Sequence, residues 1–170
     1  RTPLVAGIDT GRVLVDIDDS IIEVHGHSKQ GSGYGYSGVR GLNALITTVT
    51  TDTTAPVIVG QRLRKGSCGS ARGAARMIAD TLSTVEHLRQ AAAVGSGAAT
   101  PAMPTPLVRA DSAFYGYPTV SAALRGGADV SVTVRLTSTI KTAIASIGDD
   151  AWTPIEYTNA VYDQDTERWI

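Results

Sequence analysis

The stretch VLVDIDDSII, residues 13 to 22, sets three aspartates, Asp16, Asp18 and Asp19, among aliphatic side chains. A fourth acid, Asp111, ends a second apolar run, PLVRAD. An ionised carboxylate in a dry interior costs several kcal/mol unless it is paired, protonated or bound to metal. Two carboxylates forced together repel each other, and a divalent cation relieves that repulsion. Hard oxygen ligands select Mg²⁺ or Mn²⁺. Two such ions about 4 Å apart activate a water or a 3′-hydroxyl and stabilise the leaving oxygen in phosphoryl transfer. The competing reading is that aspartates at strand ends cap turns or face solvent. The apolar flanks of Asp18 and Asp111 weigh against that reading for those two. In a regular strand Asp16 shares a face with Asp18, as an outer partner to a metal ligand, and Asp19 points the other way in a structural role.

Positioning these acids needs strands, and the pattern supplies them. Residues 12–24 read as a strand. Residues 25–41 are a Gly/Ser-rich loop. Residues 42–51 and 56–64 are β-rich runs separated by TDTTAP, a hairpin signal. A helix follows, with Ser70 as the expected N-cap and Ala74, Ala75, Ile78, Leu82, Val85 and Leu88 at helical spacing. After a Gly/Ala/Pro linker come a strand ending at Asp111, a helix over 117–126, a strand in DVSVTVRL, and a helix in STIKTAIASIG opened by Ser138 or Thr139. The tail reads as a β-hairpin with DQDT at its turn. The order β-β-β-α-β-α-β-α predicts an α/β, RNase H-like mixed sheet: three antiparallel strands, then alternating helices and parallel strands. In that fold the first and fourth strands pair in parallel, which brings Asp18 and Asp111 together across 93 residues of sequence.

Four stretches in combination, VLVDIDDSIIEVHGHSKQGSGYGYSGVRGLNAL, QRLRKGSCGSARGAARMIADTL, LVRADSAFYG and VSVTVRLTSTIKTAIASIGDDAWTPIEYT, resemble the DDE transposases of bacterial insertion sequences, of the group 1 DDE domain type. The resemblance runs from about residue 12 to 158. It implies Asp18 and Asp111 as the first two catalytic carboxylates, and Mg²⁺ or Mn²⁺, two ions in the complete enzyme, as cofactor. It implies double-stranded DNA as partner, at transposon ends and target, and a homodimer or multimer working in the bacterial cytoplasm. The family's third acid, a glutamate, sits on a later helix beyond a β-rich insertion. No matching helix is found, and Glu156 is a poor substitute. Residues 1–148 are therefore expected to form the core without its last catalytic helix, 149–170 the start of the insertion, and the chain alone to be inactive. A start at Arg1 fits a piece of a longer protein.

Bulk properties agree with a globular domain: 170 residues, 42% apolar and 18% charged, net charge −1. No apolar run approaches the roughly 20 residues that span a bilayer, and one cysteine, Cys68, excludes an internal disulfide framework. Charge is unevenly placed. Residues 24–79 hold seven Lys/Arg and one acid, a net of +6 against −7 for the remainder. Lys29, Arg40, Arg62, Arg64, Lys65 and Arg72 are the expected contacts to DNA phosphates, with surface solvation as the alternative. Arg109 and Arg135 are expected to pair with acids, and Cys68 to be a buried thiol.

Three other motifs are decoys. VDIDDSII fits the first motif of haloacid-dehalogenase-like phosphatases, with Asp16 as nucleophile, but three strands before the first helix spoil the β/α alternation. GYGYSG, Gly33 to Gly38, has the dinucleotide spacing without its strand and helix; its glycines are expected to permit tight turning or approach to DNA, with Tyr34 and Tyr36 as stacking groups. His25 and His27 lack a third metal ligand nearby. A non-catalytic DNA-binding fragment is the remaining alternative.

Overall fold

The computed structural model describes residues 5–26, 28–96, 103–153, 161–165 and 167–169. They fall into two compact units, Arg1–Val134 and Arg135–Ile170.

The first unit is built on β1 (Leu14–Glu23), β2 (Gly33–Tyr34), β3 (Arg40–Thr51), β4 (Thr54–Lys65), β5 (Leu107–Ala110) and β6 (Asp129–Val132), with helices α1 (Ala74–Ser96) and α2 (Tyr117–Arg125). Strand β1 lies centrally, antiparallel to β3 and parallel to β5. β4 pairs antiparallel with β3, β6 pairs parallel with β5, and the two residues of β2 join the start of β3. This is the RNase H-like mixed sheet expected from the order of elements, with one extra short strand in the glycine-rich loop.

Alternation explains which face is buried. Val13 just before β1, Val15 and Ile17 of β1, Leu45 and Val49 of β3 and Val108 of β5 point to one side. There they meet Ala74, Met77, Ile78, Leu82 and Val85, the apolar stripe of α1. Phe114, Ala122 and Ala123 complete the core from the segment after β5. Each large aliphatic or aromatic side chain so buried contributes about 1.5–3 kcal/mol. A break in that alternation occurs in β4. Thr48 pairs with Ile58 but Thr47 pairs with Gly60, so Val59 is an extra residue, a β-bulge. The bulge reverses the faces of everything after it. Val57 and Val59 pack on the core, whereas Leu63 is 60% exposed and Arg64 turns inward.

Several boundaries differ from expectation. α1 begins at Ala74, not just after Ser70. The chain turns through residues 70–73 first, ending at Gly73, whose φ of +84° is left-handed. The Ser70 carbonyl accepts a hydrogen bond from Arg64 instead of opening the helix. β6 is only four residues long, so Arg135 lies outside it, exposed and without an ion pair among the described residues. Gly33, Gly35 and Gly41 of the 25–41 loop sit where backbone approaches backbone. A side chain at Gly66 would strike the backbone of Gly33 and Gly41, and one at Gly35 would strike that of Gly66.

In the second unit, α3 (Ser138–Ala145) is capped by Thr137, one residue earlier than expected, its Oγ1 accepting from the Ile140 N–H. Strands β7 (Tyr162–Asp163) and β8 (Arg168–Trp169) form the expected terminal hairpin. Glu156 and His27 lie outside the described residues. Among the described residues no helix is long and apolar enough to cross a membrane.

Candidate metal centre and the basic cleft

The parallel ladder between β1 and β5 runs Leu14–Leu107, Val15–Val108, Asp16–Arg109 and Ile17–Ala110. The next position on each strand is Asp18 and Asp111. The paired ladder ends at Ile17–Ala110, and Asp111 follows β5 as the extended N-cap of the next turn, with φ −81° and ψ −178°. Asp18 and Asp111 thus each stand one residue past the last paired rung of adjacent strands, and such strands lie about 4.8 Å apart. Both are exposed. The ladder thus runs to within one residue of both acids expected from the sequence.

Local hydrogen bonds orient each carboxylate. Asp18 Oδ1 accepts from the backbone N–H of Asp19 at 2.7 Å. Asp111 Oδ1 accepts from the Ala113 N–H at 2.9 Å and caps the short 3-10 turn Ser112–Phe114. Each acid therefore keeps its Oδ2 free of hydrogen bonds among the described residues. Two aimed, solvent-facing carboxylates with an open oxygen each fit a hard divalent cation. They are two carboxylates only, and among the described residues no group of three or more His, Cys, Asp or Glu side chains could hold a metal ion.

Asp16 and Asp19 go to different partners, as their opposite faces require. Asp16 sits one alternation below Asp18 and is clamped by Arg109, whose Nε and Nη2 donate to its two oxygens at 2.7 and 2.8 Å. That bond holds the Arg109 pKa above its usual value. The clamp occupies both oxygens of the residue that a phosphatase would need as nucleophile. The GDD run at Gly148–Asp150, which imitates the late acidic motif of such phosphatases, sits at a 3-10 turn after α3 and follows no strand.

Asp19 faces the α1 side and pairs with Arg64 at 3.0 Å, their side chains 12% and 6% exposed. Arg64 was expected among the DNA contacts, and the structure places it inside. Its Nε donates to Asn43 Oδ1 at 2.8 Å. Its Nη1 donates to the carbonyls of Ser70 at 3.0 Å and Arg72 at 2.5 Å. Asn43 closes the network by donating to Asp19. No phosphate reaches a guanidinium so occupied. Arg40 likewise donates to Gly26 O and Ser32 Oγ and holds its own loop. Lys29, Arg62, Lys65 and Arg72 are exposed.

Arg62, Lys65 and Arg72 line one cleft of about 560 Å³ with Ser67, Cys68 and Gly73, floored by Arg64. Cys68 is half-buried in its wall, not a core thiol. The missed signal is the Arg64–Asp19–Asn43 network, in which Asp19 and Asn43 are polar residues inside apolar runs.

A family model described as "Transposase DDE domain" matches residues 9–168. No curated protein matches. Among solved structures, the cryo-EM structure of the piggyBac transposase synaptic complex with hairpin DNA is similar over 88% of this chain, at 14% identity and a TM-score of 0.42. The chain spans 28% of that protein's length.

Proposed function

The chain belongs to the transposase DDE domain family, and on that premise we propose that Asp18 and Asp111 are two of the ligands of a divalent-metal centre for DNA phosphodiester cleavage and strand transfer. The observation that carries the reading is the parallel β1–β5 register, whose last paired rung, Ile17–Ala110, immediately precedes the two acids. Bound Mg²⁺ or Mn²⁺, two ions in the complete enzyme, would supply an activated water or 3′-hydroxyl and stabilise the leaving oxygen. The chain's own part is to hold the ligands. The Asp19 and Ala113 amides fix one oxygen of each carboxylate and leave the other presented to solvent. Arg109 neutralises Asp16, so the pair does not sit beside a third uncompensated charge.

The substrate in this reading is double-stranded DNA, at the ends of a bacterial insertion sequence and at its target, with two or more protomers pairing the ends in the bacterial cytoplasm. The basic segment 25–72 faces the DNA backbone. In this reading a third carboxylate completes the centre.

Mn²⁺ titration by calorimetry or electron paramagnetic resonance tests the reading. Asp18→Asn and Asp111→Asn are each expected to weaken Mn²⁺ binding at least about tenfold, and the double variant to be little worse than either, as expected for groups that act as a unit. Mn²⁺ affinity indifferent to both substitutions would refute the assignment.

A further inference from the structure

The loop Gly66–Arg72 is a short ridge between two concavities. On one side is the cleft lined by Arg62, Lys65 and Arg72. On the other is a hollow of about 380 Å³ to which Tyr36, Ser67, Cys68 and Ser70 contribute. Ser67 and Cys68 belong to both. The ridge is not held by an apolar core of its own. It is fastened from below by Arg64, which donates to the Ser70 and Arg72 carbonyls while its other edge is paired with Asp19 and Asn43. Gly66 itself is buried, with its N–H donating to Gly31 O at 3.0 Å.

This geometry points to the ridge as a contact site for one strand of DNA, in which Arg62, Lys65 and Arg72 take backbone phosphate and Tyr36 takes the flat face of a base or sugar. The inference rests on the transposase reading and adds to it a specific place and division of labour. Three observations carry it. The three cations are exposed, form no ion pair among the described residues, and share a cleft with no acid in its lining. Clustered cations left unneutralised repel one another, so their convergence favours an anion. The one acid beneath the ridge, Asp19, is already neutralised by the 3.0 Å Arg64 pair. Finally, Tyr36 is fully exposed across the ridge. An uncovered phenol has little to do for a free phosphate ion, whereas an aromatic face beside a cationic groove is the arrangement that holds a single strand.

Fluorescence anisotropy of the full chain with a labelled single-stranded oligonucleotide, across 50–200 mM salt, tests the site. Arg62→Ala, Lys65→Ala and Arg72→Ala are each expected to weaken binding and to reduce the log–log salt slope by about 0.7. Tyr36→Ala is expected to cost about fivefold to a hundredfold in affinity without moving that slope, and Tyr36→Phe to restore it. All these residues are on the surface, and circular dichroism confirms each variant is folded. Unchanged affinity and slope in all three cation variants would overturn the site. So would displacement of the oligonucleotide by inorganic phosphate at an equal phosphate concentration, which would leave a simple anion pocket. Failure here is separable from failure of the metal reading, because Mn²⁺ binding depends on Asp18 and Asp111 and is measured without DNA.

Discussion

Arg109 grips Asp16 fork to fork across the β1–β5 ladder, one rung before the last paired one, which immediately precedes Asp18 and Asp111. Its side chains are 46% and 33% exposed, so the bond contributes no more than about 1 kcal/mol to folding. Its electrostatic effect on the neighbouring acids is the larger consequence.

From this pair opposite effects on metal binding are expected. Arg109→Ala removes a cation and leaves Asp16 as an uncompensated third carboxylate, so Mn²⁺ affinity should rise by about threefold to tenfold. Asp16→Asn leaves the guanidinium unopposed and should lower affinity by a similar factor. Calorimetric titration at low salt reads both. Shifts of the same sign in the two variants would mean that the clamp acts by shaping the site and not by charge.

Removing Arg64 should be far more damaging to folding than removing any other arginine of the basic segment. Its side chain is 6% exposed, and Arg64→Met would strand Asp19 without its partner. Breaking a buried pair in this way costs about 3–5 kcal/mol. Adding Asp19→Asn to Arg64→Met should recover part of the loss, since the unpaired charge is gone. Urea unfolding measures both, and Arg62→Ala is the surface control expected to fall within about 0.5 kcal/mol of the parent.

Thr47 and Thr81 share a hydrogen bond of 2.7 Å between β3 and α1, with both residues almost fully buried. Thr47→Val or Thr81→Val alone leaves a buried hydroxyl without a partner and should cost about 1–3 kcal/mol. The double substitution should be close to neutral, and a double-mutant cycle by thermal or urea unfolding gives the coupling. Gly60 lies against the same spot. A side chain there would meet Thr47 Oγ1 at 2.5 Å and Met77 Sδ at 2.8 Å, so Gly60→Ala should destabilise by about 1–3 kcal/mol through overpacking.

Much of the framework was legible in the residues because it depends on local pattern. Apolar and β-rich runs marked β1, β3 and β5, and 3.6-residue spacing marked α1, so the order of elements and the pairing of the first and fourth major strands followed. The apolar flanks of Asp18 and Asp111 singled them out before any coordinate placed them. The start of α1 was not legible, because Ser70 looks like a cap in sequence and only the Arg64 guanidinium, reaching across from β4, draws its carbonyl away.

The sequence by itself determined that two aspartates stand on apolar strands and that a basic segment separates them, because composition and periodicity are properties of the chain read in order. Which of the arginines face outward was decided only in three dimensions. Plain alternation through PVIVGQRLR puts Leu63 on the side of Val57 and Val59, and Arg62 and Arg64 on the other. The bulge at Val59 inverts that assignment, leaving Leu63 exposed and Arg64 buried beside Asp19. One extra residue in a strand shifts every later side chain to the opposite face. It is accepted here because a network 21 to 45 residues away in sequence, Asn43 and Asp19, stands ready to receive the guanidinium.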